Sequence, residues 1–561
     1  MYYMLKNDTY FRRFDDIGYI TSVGLFNDRV VDAAGAVFLS ALSREPQSLD
    51  SLCERIAAEF NGADIGEIAK DAADFYSIFA EDGFIAVGDS MEKAEAAAKG
   101  FSYAAIKPGI PKSDYTPSVT RSSMDTQTLL QRRFAKEPHL HAFQIELTSR
   151  CNERCVHCYI PHENKNTDIA PELYYSVLEQ LKSMGTLSLT LSGGEPMLHP
   201  DFINFLKAAK QKDFYVVVLS NLTLLNDEIV AAMKEGSVSS VQVSLYSMIP
   251  EHHDAITTIP GSFEKTKASI LKLIENDIPV QISCPSMKGN INDFVDVLRW
   301  ANAHKIRAFT DPSIMAMYDH ETSNLANRLT PEECRKVFSD ILNYDVDYQK
   351  QVFSDGFTDK VKNRRFKPED QFCGVGVSTC CMVANGSVYP CAGWQECVCG
   401  NLYEQSLDDI WRTSEKLNWL RSLRKKDMPK CLDCENQAFC SPCLVRFANE
   451  SPIGNPLEVC EHFCQVAAIN KEVVLNRRGE WLLEALSDKI MSEMKKWTFK
   501  AGEGWPFNSY NIFRANLPDE EKALWIDAVN HLIRQGYIEI KPERGSEKLF
   551  LTQKGEENLF H

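Results

Sequence analysis

Three cysteines fall close together in Cys151-Asn-Glu-Arg-Cys155-Val-His-Cys158. Iron–sulfur clusters are usually held by four cysteine thiolates. Three at CxxxCxxC spacing can wrap one cubane cluster and leave its fourth iron without a protein ligand. Open metal positions are where metals do chemistry rather than hold a fold together. A short apolar run, Phe143 to Leu147, precedes the motif, and Gly193-Gly194-Glu195-Pro196 ends the next such run. A second array follows, with twelve of the 18 cysteines between Cys373 and Cys464. Clustered cysteines in a reducing compartment read as metal ligands or catalysts. Cys53, Cys284 and Cys334 stand alone and read as ordinary buried thiols.

The elements that must position these residues come from a long, acidic chain. At 561 residues it exceeds what one core organises, so several domains are expected. A hydrophobic fraction of 44% with 25% charged residues is that of a globular protein. The formal net charge of −17 counts against a nucleic-acid partner. No apolar stretch is long enough to span a bilayer, and the N-terminus lacks a signal-peptide pattern, so a cytoplasmic protein off the membrane is expected.

From Phe143 to Asp311 strand-like and helix-like runs alternate: Phe143 to Leu147, Leu187 to Leu191, Tyr215 to Leu219, Ser240 to Leu245, Val280 to Ser283 and Ile306 to Thr310 are the strands. Six βα units in succession predict an α/β fold, a parallel sheet curved into a partial, TIM-like (β/α)6 barrel. Function in such folds collects at the C-terminal ends of strands. The cysteine motif, Gly193 to Pro196 and Ser220-Asn221 all follow strands.

Domain limits are expected at 1–90, 141–345, 346–470 and 471–561. Residues 91–140, rich in Ala, Lys, Ser and Pro, read as a tether. The first module reads as a winged helix. Strands over Tyr10 to Phe14 and Tyr19 to Phe26 precede a helix through Ala34 to Leu42. Ser48 caps a second helix, a third ends at Asp82-Gly83, and Phe84 to Val87 returns as a strand. The last segment repeats a winged-helix pattern, with helices at Trp481 to Lys496 and Pro518 to Arg534 and a strand–turn–strand around Arg544-Gly545. Trp481, Trp497 and Trp505 read as core.

With these motifs in this order, the chain resembles the radical S-adenosylmethionine (radical SAM) enzymes. The resemblance implies Cys151, Cys155 and Cys158 as cluster ligands, with SAM on the open iron. His157 matches a position near the adenine. Gly193, Gly194, Glu195 and Pro196 match the motif whose carboxylate helps hold the SAM amino group. Ser220, Asn221 and Ser244 match strand-end contacts to SAM. It also implies the mechanism: the reduced cluster splits SAM to a 5′-deoxyadenosyl radical, which abstracts a substrate hydrogen. A zinc site is the alternative for the cysteines alone, and loop capping is the alternative for the three polar residues. The sequence names no catalytic acid or base.

The C-x12-G-x4-C run from Cys373 through Gly386 to Cys391, then Cys431, Cys434, Cys440, Cys443 and Cys460, resembles the SPASM extension of peptide-modifying radical SAM enzymes. That resemblance implies two auxiliary clusters and, with the first, three [4Fe–4S] clusters. One auxiliary cluster would take Cys373, Cys391, Cys443 and Cys380, with Cys381 as rival. The other would take Cys431, Cys434, Cys440 and Cys460. The Cys440–Cys443 spacing is one residue shorter than the commonest family pattern. Cys397, Cys399 and Cys464 are extra, and any could replace a named ligand. Zinc ribbons remain the alternative.

The N-terminal module is similar to the RiPP recognition element, the winged helix that holds leader peptides of ribosomally made natural products, as in the pyrroloquinoline quinone peptide chaperone. Gly18-Tyr-Ile20, Asp32-Ala-Ala-Gly35, Leu49-Asp-Ser-Leu52 and Gly83-Phe-Ile85 carry it. Implied partners are a precursor peptide with its leader and an electron donor such as a flavodoxin or ferredoxin. The expected activity is maturation of that peptide, with a thioether cross-link as first choice. Sulfatase-maturase-like oxidation of a side chain and a redox-sensing DNA-binding regulator are the alternatives. The candidate recognition helix, Asp50 to Asn61, opposes the last with Asp50, Glu54 and Glu59 against Arg55.

Overall fold

A computed structural model describes residues 1–23, 27–60, 64–105, 126–161, 166–236, 238–543 and 546–560. Phe26, Asn61 and the Arg544-Gly545 turn lie outside them. By contact pattern the chain forms two units. One holds Met1–Val337 with Arg365–Val466, the other Phe338–Arg364 with Ala467–His561. Residues 338–364 thus group with the C-terminal segment, not with the cysteine-rich region in which residues 346–364 were expected.

In the first unit six strands run parallel and side by side in chain order: Ala142–Thr148, Ser188–Gly193, Tyr215–Ser220, Ser240–Ser244, Val280–Ser283 and Arg307–Phe309. This is the α/β partial barrel read from the sequence. Alternate side chains are fully buried, Phe143, Ile145 and Leu147 on the first strand and Val216 and Val218 on the third. They meet the apolar stripes of the intervening helices, such as Leu173, Val177 and Leu181 on Pro171–Ser183. Each such side chain contributes about 1.5–3 kcal/mol. The sheet then extends in a way the sequence did not announce. Thr379–Met382 adds in parallel beside the first barrel strand, and Ser387–Tyr389 and Gly400–Asn401 continue it antiparallel, to nine strands. The cysteine-rich region is therefore hydrogen-bonded to the barrel.

The N-terminal residues build two small sheets around helices Ala33–Ala41, Leu49–Glu59 and Ile65–Glu81. Asp32 and Ser48 cap the first two helices through Gly35 N and Ser51 N, and Gly83 turns the chain at φ +85° after the third. A three-stranded meander, Thr9–Phe14, Ile17–Ser22 and Asn27–Val31, packs against the barrel. Its Tyr10, Phe14 and Tyr19 share a core with Leu187 and Val377. Arg44 Nε donates to Asp213 Oδ1 at 2.7 Å, and Ser239 Oγ to the Tyr10 hydroxyl at 3.2 Å. Leu187, Asp213 and Ser239 all precede strands. The module is thus docked at the end of the barrel opposite the cysteine motif. The expected tether is also more than a tether. Helix Thr126–Lys136 buries Leu130 and Phe134 in the same core, and the Tyr103 hydroxyl accepts from Val280 N at 2.9 Å.

A helix expected from Trp481 already begins at Glu461, within the first unit, and its residues from Ala467 to Lys496 belong to the second. Trp525–Gln535 and the hairpin Ile538–Glu543 and Ser546–Leu551 pack on it around Leu486, Ile490, Met494 and Trp505. Trp481 stacks on Phe353, but Trp497 is 52% exposed and is not core as the sequence suggested. The isolated Cys53, Cys284 and Cys334 are all buried. Among the described residues no helix is long and apolar enough to cross a membrane.

Candidate active site

The Cys151–Cys158 loop leaves the first barrel strand and is pinned on two sides. Arg154 N and Val156 N donate to Thr257 and Ile256 carbonyls at 3.0 and 2.9 Å, and Asn327 Nδ2 donates to the Val156 carbonyl at 3.0 Å. Cys151 and Cys158 both lie within electrostatic reach of Cys155. Burial pushes the Cys155 thiol well up, and Glu153, Cys158 and Cys151 push it further. Among the described residues, Glu153 Oε1 and His157 Nδ1 inside the loop are buried and find no partner. Burial raises the Glu153 pKa to about 7 and lowers that of His157 to about 4. Three crowded thiols need a cation to become thiolates together, so the donor set fits an iron–sulfur cluster. Among the described residues no three His, Cys, Asp or Glu side chains converge on one metal ion.

The glycines of Gly193-Gly194 answer to the backbone. Gly194 N donates to Thr148 O and Glu195 N to Arg150 O, each at 2.8 Å. A Cβ on Gly193 would stand 2.1 Å from Thr148 O, and one on Gly194 2.2 Å from Arg150 O. Only glycine lets the second strand's end lie this close to the start of the cysteine loop. Pro196 then opens a 3-10 turn.

Glu195 is fully buried beneath that turn. Its carboxyl accepts from Ser220 Oγ at 2.8 Å, Met197 N at 3.0 Å and Asn221 N at 2.8 Å. Burial raises its pKa to about 7 against those three donors. A carboxylate accepts about four hydrogen bonds, so one position remains for an incoming donor. Asn221 Nδ2 donates to Asn152 Oδ1 at 2.9 Å, and Asn152 Nδ2 to Thr223 Oγ1 at 2.6 Å. Glu195, Ser220 and Asn221 are thus one network with the cysteine loop. Ser244 hydrogen-bonds Tyr246, whose hydroxyl lies 3.9 Å from Cys155 Sγ and whose ring meets His157 edge-on. Asn152, Glu153 and Thr223 sit with these residues around the cysteine loop, and the sequence had not assigned them a part in it. Asn152 and Glu153 lie between the motif cysteines, which was the available signal.

Beside this network a cavity of about 550 Å³ opens between the barrel and the added hairpin, lined by Glu146, Ser149, Ile160, Tyr318, Tyr389 and Glu396 among others. Burial alone raises the Glu146 pKa to about 8. Tyr159, half-buried next to the loop, feels Glu146, Cys158, Cys391 and Cys381 in turn, so the cavity lies between the first cysteine group and the second array.

That array separates into groups. Cys391, pushed up to about 11 by burial, also feels Cys443 and Cys373. Cys380 and Cys381 are neighbours in a strand and so face opposite ways. Cys380 lies near Arg421 and Cys397, Cys381 near Glu146, and both are near Cys391. Cys397 and Cys399 hydrogen-bond each other. Cys440 gathers with Cys464, Cys431 and Cys434, whereas the Cys460 thiol donates to Glu450 Oε2 at 3.0 Å. Lys425, 2% exposed between Phe366 and Phe372, faces Cys431, Cys373 and Cys440.

Residues 145–301 match the Radical SAM superfamily, and residues 373–435 match SPASM, an iron–sulfur cluster-binding domain. These matches give the chain SAM and [4Fe–4S] clusters, including auxiliary binding in the cysteine-rich region. An AdoMet-dependent heme synthase of Methanosarcina barkeri is 27% identical over 54% of this chain and 90% of its own length. The PqqA peptide cyclase of Rhizobium meliloti is 24% identical over 53% of this chain and 80% of its own. The crystal structure of Streptococcus suis SuiB bound to precursor peptide SuiA shares the fold, with a TM-score of 0.52 and 16% identity over 83% of this chain and 100% of that one.

Proposed function

We propose that this chain, a radical SAM/SPASM protein related to peptide maturases, modifies a ribosomally synthesised precursor peptide. The N-terminal module carries the reading. Among the described residues its strand Asn27–Val31 lies at the edge of the meander, paired with Ile17–Ser22, where an extended leader could add as a further strand. The names of two comparison proteins support it, one a cyclase of a peptide and the other bound to its precursor peptide. A leader held by the module raises the concentration of the attached core peptide at the cavity. That cavity has the volume of a small-ligand site.

Cys151, Cys155 and Cys158 hold the first cluster. Glu195, with one acceptor position left, takes the SAM amino group, and Gly193, Gly194 and Pro196 shape that turn. His157, Ser220, Asn221 and Ser244 complete the surround. Cys373, Cys391 and Cys443 with Cys380 hold one auxiliary cluster, and Cys431, Cys434 and Cys440 with one more thiolate hold another, making three. Loaded in this way the site supplies hydrogen-atom abstraction from the substrate. The chain's own part is to fix the strand ends through the Glu195–Ser220–Asn221 network and to keep the reacting carbon in a walled cavity. Electrons come from a flavodoxin or ferredoxin. The reducing cytoplasm, where thiols stay free for iron, is the compartment this chemistry suits. The product is a cross-link within the peptide, a thioether first.

The test is anaerobic incubation of reduced enzyme with SAM and the short peptide encoded beside its gene. A loss of two hydrogens in peptide mass, with deoxyadenosine formed, is expected. Deoxyadenosine with an unaltered peptide rejects the peptide reading and leaves the radical chemistry standing. Turnover of a porphyrin in its place would instead favour the heme-synthase likeness.

A further inference from the structure

We infer that Cys464, rather than Cys460, supplies the fourth thiolate beside Cys431, Cys434 and Cys440. The inference rests on the reading above that this region holds a cluster, and it names a ligand that the order of cysteines does not.

Cys460 is already engaged. Its thiol donates to Glu450 Oε2 at 3.0 Å. Arg328 Nη1 donates to the same oxygen at 3.0 Å, Nη2 pairs with the other, and Nε donates to Ile314 O at 2.7 Å. Glu450 is therefore a largely buried carboxylate fixed from both sides, with a side-chain exposure of 11%. A thiolate at Cys460 would lose its acceptor and face that carboxylate charge against charge. The groups that act most strongly on Cys460 are Glu450 and the backbone of Phe463 and His462.

Cys464 stands elsewhere. Cys460 precedes helix Glu461–Lys496, whereas Cys464 closes its first turn, its N–H reaching Cys460 O at 3.4 Å. The helix start is held in place. Phe463 lies between the guanidiniums of Arg328 and Arg446, and Glu461 pairs with Lys430, the neighbour of Cys431, at 3.5 Å. That pairing brings the first turn to the short helix Pro429–Leu432, where Cys464 is within electrostatic reach of Cys431, Cys434 and Cys440.

The experiment compares anaerobically purified, reconstituted holoprotein carrying Cys464→Ser or Cys460→Ser with wild type, by iron and acid-labile sulfide content and by electron paramagnetic resonance of the reduced clusters. Serine is near-isosteric, and Cys464→Ala serves as the second variant. The expected result is loss of one cluster's iron, or a changed signal from one cluster, in both Cys464 variants, with wild-type content and spectrum in Cys460→Ser. Loss in Cys460→Ser, or wild-type spectra in the Cys464 variants, overturns the assignment. Wild-type protein that binds iron for the first cluster alone overturns the cluster reading itself.

Discussion

The two cysteine regions are built by opposite means. The first trio sits on one loop between a strand and the next element, so the spacing of Cys151, Cys155 and Cys158 already groups them. The second array takes its members from separate pieces: the segment before the added strand, the strand itself, the hairpin end, a short helix, a helix N-terminus and the start of the long helix. In the first region, sequence neighbours are site neighbours. In the second, Cys460 and Cys464 are one turn apart yet face different partners, while Cys391 and Cys443 are distant in sequence and close in space. A local motif can be read by counting, but a motif assembled by tertiary contacts cannot.

Breaking the first region should have the larger consequence. Cys155→Ala removes the middle thiol of the trio and is expected to abolish deoxyadenosine formation, measured by chromatography, whatever the peptide. Cys373→Ala in the second region is expected to leave reductive SAM cleavage within a few-fold of wild type while peptide product disappears. Equal loss of both activities in the second variant would erase the distinction between a radical-generating site and a downstream one.

Much of the barrel was legible for the same reason as the first trio. Alternating buried residues, such as Val216 and Val218, and apolar helix stripes are local signals, and Ser48 and Gly83 marked ends through capping and turn chemistry. What escaped depended on pairing at long range. Nothing local in Thr379–Met382 says that it will lie parallel to Ala142–Thr148. Composition misled over residues 91–140, because Leu130 and Phe134 are a sparse apolar pair in a polar stretch yet meet the meander core. The glycine pair read as a cofactor motif also has a backbone reason, which only the 2.1 and 2.2 Å approaches reveal. Glu146 was passed over because one acid at a strand end looks like many others.

Glu146 sharpens the comparison, since it lies where the two regions meet. Its pKa of about 8 in the folded chain stands above the ordinary 4.5. The folded state therefore holds its proton more tightly than the unfolded state. That stabilisation is present below about pH 4.5 and is lost as pH rises toward 8. Glu146→Gln keeps the shape without the titration. Its melting temperature should fall less than that of wild type between pH 6 and pH 8.5, by differential scanning fluorimetry. Parallel curves would mean that the carboxyl is not buried in this way.

The smallest expected effect is electrostatic. Lys425 is nearly without solvent access and faces cysteines of both auxiliary groups. A cation there offsets the charge of thiolate-bound clusters and favours their reduced forms. At about 8 Å and an effective dielectric of about 20 the interaction is about 2 kcal/mol, roughly 90 mV for a one-electron couple. Lys425→Met retains the stem that packs on Phe366 and Phe372, so iron content should hold. Redox titration should show the potentials of the two proposed auxiliary clusters falling by tens of millivolts, with the first cluster unmoved. A fall in only one would mean that Lys425 belongs to a single group, and the second array would then be two sites with separate electrostatics rather than one pair sharing a cation.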